Sequence, residues 1–248
     1  GEGRGHFTQA ITLEEMLLRN GHEVVEVLVG KSSTRTLPGF FNRSIHAPVK
    51  RFISPNFLPT ADNKRANLTK SFAYNLLRLP EYLRSMYYIN QRIRETGAEV
   101  VINFYELLTG LTYALFRPSV PYICVGHQYL FLHRDFEFPD KNSCQLWMLR
   151  FFTRMTALRS SKKLALSFLE MEQDDMNQIV TVPPLIRQEV TAIRPEKGDY
   201  IHGYMVNSGF ADSVESFHAK HPEVPLTFFW DRSDAEEVTR IDETLSFH

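Results

Sequence analysis

Gly1-Glu2-Gly3-Arg4-Gly5-His6 opens the chain, a periodic segment follows over 7–19, and Gly21-His22-Glu23-Val24-Val25 then leads into an apolar run ending at Val29. Three glycines at alternate positions permit backbone turns and close approach that a Cβ would block. Within 7–19, Ala10, Leu13 and Leu17 share a helical face, with Phe7, Ile11 and Leu18 beside them. Asn20-Gly21 stops that helix, because glycine accepts the left-handed cap conformation. Residues 22–29 are rich in β-branched side chains and read as a buried strand. A glycine-rich turn of this kind is useful where a strand delivers the chain into it and a helix N-terminus leaves it, with free N–H groups and a positive dipole end. The expectation is that this first strand is missing ahead of Gly1, and that His6 stands where loop becomes helix with its ring in a cleft. The pattern departs from Gly-x-Gly-x-x-Gly, since position 6 is His.

The alternation continues downstream. Residues 31–66 read as irregular and rich in Pro, Phe and basic side chains. Leu68, Phe72, Leu76, Leu79, Leu83, Tyr87 and Ile93 recur at helical spacing, and Pro80 should divide that helix. Strands are expected at 99–104, 121–125, 163–168 and 178–182, with helices at 107–116 and 143–159. Most strand runs are apolar without clean alternation, which favours an α/β fold with a Rossmann-like parallel sheet covered on both faces. Pro183-Pro184 opens an aperiodic stretch, taken as a linker over 183–198. A strand at 200–206, a helix at 209–220 and a strand at 225–230 then begin a second Rossmann-like unit. The chain is expected to end before that unit closes a core.

Composition bounds the class. The 248 residues are 43% hydrophobic and 23% charged, enough apolar material for a core. No run approaches the roughly 18 apolar residues of a membrane span, and two cysteines, Cys124 and Cys144, are too few for a disulfide framework. A reducing, cytoplasmic setting fits. The net charge of −1 hides an asymmetry: 31–94 carry 12 Lys/Arg against 2 Asp/Glu, whereas 169–248 carry 6 against 16. One part of the molecule is thus suited to an anionic neighbour or to its own acidic half.

The order Gly-x-Gly-Arg-Gly-His, helix, Gly21 to Val25 resembles GT-B glycosyltransferases, and more narrowly the branch related to the bacterial peptidoglycan N-acetylglucosaminyltransferase. The resemblance extends to Asn103-Phe104-Tyr105-Glu106, to Gly126-His127-Gln128-Tyr129 after the strand 121–125, to the strand and turn over 199–210, and to Phe228-Phe229-Trp230-Asp231. It implies two Rossmann-like domains across a cleft: an acceptor-side domain at 1–182, the linker at 183–198, and at 199–248 the start of a truncated donor-binding domain. It implies transfer of a sugar from a nucleotide-diphosphate donor to an acceptor hydroxyl, metal-independent and inverting, by a hexosyl- or N-acetylhexosaminyltransferase. The nucleotide-sugar enters as substrate, with no cofactor, and the acceptor is a glycan or lipid-linked molecule. The setting is cytoplasmic and peripheral on the inner face of the membrane. Since the family places most donor contacts beyond position 248, these residues alone are expected to show no turnover.

Read as an isolated residue, His6 is a cap or surface histidine. The resemblance implies instead a general base, whose neutral form suits the task near pH 7. The same resemblance puts Gly3, Arg4 and Gly5 on the acceptor side with His127 and Gln128, which follow a strand where open α/β sheets place ligand contacts. Glu106 is a second candidate base or acceptor ligand, with a helix N-terminal carboxylate as the equal alternative. Asn207, Ser208 and Gly209 lie at a strand-to-helix turn whose N–H groups suit a leaving diphosphate. No metal site is visible: the chain has no Asp-x-Asp, and His218 and His221, spaced i, i+3, are expected to be solvated. The segment 37–59 mixes Phe40, Phe41, Phe52 and Phe57 with Arg43, Lys50 and Arg51. That mixture suits a membrane surface or an anionic acceptor, or else aromatics packed inward with the cations outside. No motif supports nucleic acid as a partner. Two rivals share these features: a nucleotide-sugar epimerase on the same fold, and a non-catalytic module that binds an anionic surface.

Overall fold

The computed structural model describes residues 4–31, 37–56, 68–138, 144–205, 208–230 and 238–248. The chain divides into two compact units, Gly1–Pro55 with Leu77–Ala192 and Asn56–Leu76 with Ile193–His248.

The first unit begins with α1 (Arg4–Arg19), which starts two residues ahead of His6 and so takes the expected junction residue into its first turn. Gly21 adopts φ 77°, the left-handed conformation that ends the helix. Strand β1 (Val27–Lys31) is shorter than expected at its start and runs beyond Val29 at its end. Its parallel partner β2 (Val49–Ile53) begins its register at Val27 opposite Val49, so residues 22–26 have no ladder to join. That strand and the short helix α2 (Gly39–Ser44) correct the reading of 31–66 as irregular. Lys50 and Arg51 sit among the strand's apolar residues and mask its period in the sequence.

The two faces of β1 and β2 enter two cores. Val27, Val29 and Val49 pack with Ile11, Phe41 and Ile45, whereas Leu28 and Phe52 pack with Tyr82, Met86 and Ile89. Phe41 is 0% exposed and Phe52 7%, and Phe40 packs against the first of these cores. Of the aromatics expected at a membrane surface over 37–59, these three are therefore turned inward, and Phe57 lies outside the described residues. Arg43 and Arg51 remain exposed. Lys50 instead joins Arg92 around the buried Glu26, at 3.0 Å and 2.9 Å. Burial pushes the Glu26 carboxyl up, but hydrogen bonds from Arg92 and Lys50 outweigh it and hold the group below its ordinary range.

Helices α3 (Leu68–Leu77) and α4 (Leu79–Glu95) are separated at Arg78, with Pro80 in the first turn of α4, where its missing N–H costs nothing. The buried stripe of α4 is Tyr82, Met86, Ile89 and Ile93, at helical spacing. Each such side chain contributes about 1.5–3 kcal/mol. The expected stripe through Leu79, Leu83 and Tyr87 faces outward; these are 49%, 55% and 60% exposed.

The main sheet is parallel, in the order β3 (Val101–Asn103), β4 (Tyr122–Val125), β5 (Lys162–Leu166), β6 (Ile179–Val182). Helices α5 (Leu107–Phe116) and α6 (Cys144–Thr156) connect its strands. They cross so closely that a Cβ on Gly110 would lie 2.2 Å from the Met155 carbonyl oxygen. Helix α7 (Gln188–Ala192) lies within the stretch read as linker.

In the second unit, β7 (Ile201–Met205) pairs β8 (Leu226–Trp230) in parallel, with α8 (Ala211–His218) between them in sequence. Two strands went unread in the sequence: β9 (Thr239–Arg240) and β10 (Leu245–Phe247), the latter parallel to β8. They are very short, and β10 completes a core of Met205, Ala211, Leu226, Leu245 and Phe247. His218 is not solvated: it is 6% exposed, and its Nε2 meets Asp242 Oδ2 at 2.6 Å.

Candidate functional site

The carboxyl ends of β2, β3 and β4 deliver Ser54, the 103–106 segment and the 126–128 turn to one end of the parallel sheets of the first unit. Glu106 is the N-cap of α5. Its Oε1 accepts from Ser54 Oγ at 2.8 Å and from the Leu108 N–H at 3.2 Å. The carboxylate therefore occupies the helix-cap position, and its Oε2 carries no hydrogen bond among the described residues. A Cβ on Gly30 would come within 2.7 Å of Ser54 Cβ and 2.9 Å of Glu106 Oε2, so this approach requires glycine. Asn103 fixes the turn from both sides. Its Oδ1 accepts from the Glu106 N–H at 2.8 Å, and its Nδ2 donates to the carbonyls of Glu106 and Thr156 at 3.1 Å and 2.9 Å.

Tyr105 adopts φ 58°, a left-handed conformation that a bulky side chain enters only when its surroundings enforce it. Its ring lies 5.6 Å from both Tyr129 and Phe152. Its hydroxyl donates to Thr153 Oγ1 at 2.8 Å, because Thr153 spends its own proton on the Leu149 carbonyl. Burial pushes the Tyr105 phenol up.

His6 is mostly desolvated, and burial first, then the charge of the amino terminus and that of His127, lowers its imidazole to about 4. Neither His6 Nδ1 nor Gln9 Oε1, both buried, has a hydrogen-bond partner among the described residues. His127 opens a 3-10 helix over 127–132, and desolvation lowers its imidazole too. The Oε1 of the adjacent Gln128 is likewise buried and unpartnered among the described residues. His127, at the end of β4, thus disfavours the charged form of the His6 imidazole in the first turn of α1. Gly5 lies inside α1, and among the described residues nothing stands within 4 Å of where its Cβ would be. Arg4 begins α1; Gly3 and Asn207 lie outside the described residues. Ser208 and Gly209 form a 3-10 turn after β7.

Sequence reasoning missed Gly30, Ser54, Asn103 and Tyr105 as parts of this site. Gly30 was hidden in a β-branched run and Ser54 behind a strand that was not recognised. Asn103 and Tyr105 carry no signal in the sequence beyond their place next to Glu106.

A family model described as Glycosyl transferase family 1 matches residues 1–239. The chain belongs to glycosyl transferase family 1. No curated protein matches it in sequence. Among solved structures, this family 1 chain is similar to Arabidopsis thaliana UGT89C1 complexed with UDP-L-rhamnose, with a TM-score of 0.52 and 13% identity. That match covers 96% of this chain and 64% of the other. It is also similar to Acinetobacter baumannii MurG, with a TM-score of 0.43 and 13% identity, over 93% of this chain and 58% of that one. The chain therefore spans less than two thirds of the length of either structure. The parallel sheets and the first of these likenesses give a GT-B, Rossmann-like α/β fold.

Proposed function

We propose that this chain forms part of a glycosyltransferase of the branch related to the bacterial peptidoglycan N-acetylglucosaminyltransferase, and that its first unit takes the acceptor. The observation that carries the reading is the pair His6 and His127: one imidazole held neutral at the helix start, the other at the carboxyl end of a parallel strand. His6 takes the proton of an acceptor hydroxyl as its oxygen attacks the anomeric carbon of a nucleotide-diphosphate sugar. The bond from that carbon to the diphosphate breaks with inversion, and the leaving nucleoside diphosphate keeps the electron pair. Glu106 Oε2 and Gln128 Oε1 are free to hold the acceptor. The N–H groups over 207–209, with Asn207, Ser208 and Gly209 as the proposed phosphate contacts, receive the diphosphate.

The proposal includes a glycan or lipid-linked acceptor, a cytoplasmic setting and a UDP-hexose or UDP-N-acetylhexosamine donor. UDP-sugars come first because a structural neighbour is complexed with one. The proposal includes metal independence, in keeping with a sequence that carries no Asp-x-Asp. In the intact natural protein, UDP-sugars are incubated with glycan and lipid-linked acceptors, with EDTA present, and products are read by mass spectrometry. Transfer is expected, and His6→Ala should lower kcat by about 10²–10⁴-fold. A sugar isomer formed from donor alone identifies an epimerase. Donor binding without turnover, or full activity in the His6 variant, overturns the proposed mechanism.

A further inference from the structure

Helix α1 sets the His6 and Gln9 side chains beside each other. Its rotation is fixed by the buried Ile11 and by Phe7, whose ring lies 4.8 Å from that of Phe41. The buried Glu14 adds to this, accepting the N–H groups of His46 and Ala47 at 2.9 Å and 2.8 Å. Positions 6 and 9 then stand on the flank of that buried side, where residues three apart on a helix are neighbours. Two polar atoms there are buried with no hydrogen-bond partner among the described residues: Nδ1 of His6 and Oε1 of Gln9.

The two atoms are complementary. The amide oxygen of glutamine only accepts, whereas Nδ1 of a neutral imidazole donates whenever Nε2 does not carry the proton. A buried polar group left unpaired is costly, so two such neighbours gain by meeting. The Gln9 side chain acts on the ring in that sense, favouring its charged form against burial, although the geometry falls short of a full hydrogen bond. Other partners are placed elsewhere. Gln128 Oε1 is turned towards its own loop, 2.8 Å from where a Cβ on Gly126 would stand. Thr8 gives its hydroxyl proton to the Gly5 carbonyl at 2.8 Å. Among the described residues, no carboxylate acts on the His6 ring.

We propose that Gln9 positions His6: its Oε1 accepts the Nδ1–H, which fixes the tautomer of the ring and leaves the Nε2 lone pair for the acceptor hydroxyl. This rests on His6 as the base in the proposed transfer. In that step Nε2 takes the hydroxyl proton, the ring becomes an imidazolium with both nitrogens protonated, and Gln9 goes on accepting from Nδ1. Without Gln9 the neutral ring carries its proton mainly on Nε2, as free histidine does, and that nitrogen then has no lone pair to offer. A neutral amide also differs from a carboxylate in this place, because it orients the ring without setting a negative charge beside it. Since both side chains stand on one helix, the partner is held by a rigid element.

The test uses the intact natural protein with isotope-labelled histidine. Long-range proton–nitrogen NMR spectra report which ring nitrogen carries the proton, and the signals lost in His6→Gln identify the ring. Wild type is expected to show His6 protonated at Nδ1 at neutral pH, and Gln9→Leu to show it protonated at Nε2. Gln9→Glu keeps an accepting oxygen and should keep the Nδ1 proton. In transfer assays Gln9→Leu should lower kcat about tenfold, the scale of one hydrogen bond, with the donor KM unchanged. Gln9→Glu should restore most of that loss. Leucine fills nearly the space of glutamine, so a packing role alone would survive the first change, and unchanged circular dichroism checks that each variant is folded. Wild type protonated at Nε2 overturns the inference. So does a Gln9→Leu ring still protonated at Nδ1, or an equal loss of kcat in the two variants. If the proton moves as expected but no sugar is transferred by any of the proteins, the positioning of the ring is upheld and the proposed function falls.

Discussion

Ser54 donates its hydroxyl to Glu106 at 2.8 Å, and that bond joins the end of the two-stranded sheet to the end of the four-stranded one. The same carboxylate oxygen caps α5. One side chain therefore ties two sheets and a helix together at the place where the acceptor is proposed to bind.

Removing the Glu106 carboxylate by Glu106→Ala should lower stability by about 0.5–2 kcal/mol, the usual cost of a lost N-cap. Glu106→Gln keeps an acceptor oxygen and should lose less than half as much. Gly30→Ala puts a Cβ against Ser54 and Glu106 and should cost about 1–3 kcal/mol as overpacking. Urea titrations of the three variants give the order. A neutral Gly30→Ala would contradict the close approach.

Gly110→Ala opposes two effects of known size. Alanine is favoured over glycine inside a helix by about 1 kcal/mol. At Gly110, however, the new Cβ meets backbone: the Met155 carbonyl oxygen at 2.2 Å and the Thr156 carbonyl at 2.8 Å. Backbone cannot swing aside as a side chain can, so the clash should win and α5 and α6 should separate. The measurement is a lowered Tm in the variant despite unchanged helical circular dichroism at low temperature. A raised Tm would mean that the helix term dominates.

His6 sets a pH dependence whose sign follows from its lowered value. An imidazole of ordinary value 6.5 when unfolded and about 4 when folded leaves the unfolded chain holding more protons between those values. Stability is therefore full above about 6.5 and falls as pH drops towards 4. His6→Gln should flatten that part of the curve in urea titrations run at several pH values, and an unaltered slope would refute the assignment.

In the second unit, the hydrogen bond from His218 holds the Asp242 carboxyl below its ordinary value, helped by the N–H groups of Thr244 and Leu245. A depressed carboxylate stabilises the folded state above the ordinary value of 3.8, and that contribution is lost on acidification below it. Hydrogen exchange over β8 and β10 should thus quicken in acid, relative to the intrinsic rate. In Asp242→Asn, protection should be lower already at neutral pH and less dependent on acid. Equal protection in the two proteins at neutral pH would mean that the pair does not pin α8 to the turn before β10.

The sequence by itself determined the alternation of strands and helices. Local patterning carries that information: β-branched runs such as 179–182, the Gly21 stop and the break before Pro80 each act within a few residues. It also carried the order of motifs that resembles GT-B enzymes, and with it His6, His127 and Glu106 as candidates. Only the tertiary structure decided which side of a helix is inside. On α4 two apolar stripes compete, and packing buries Tyr82, Met86 and Ile89 while leaving Leu79, Leu83 and Tyr87 in solvent. Tertiary structure likewise turned Phe41 and Phe52 into the core, and set Ser54 and Gly30 against Glu106. Such outcomes depend on residues tens of positions apart meeting at one place. A hydrophobic pattern states that a face must be covered, but the partner that covers it is fixed only when the whole chain is packed.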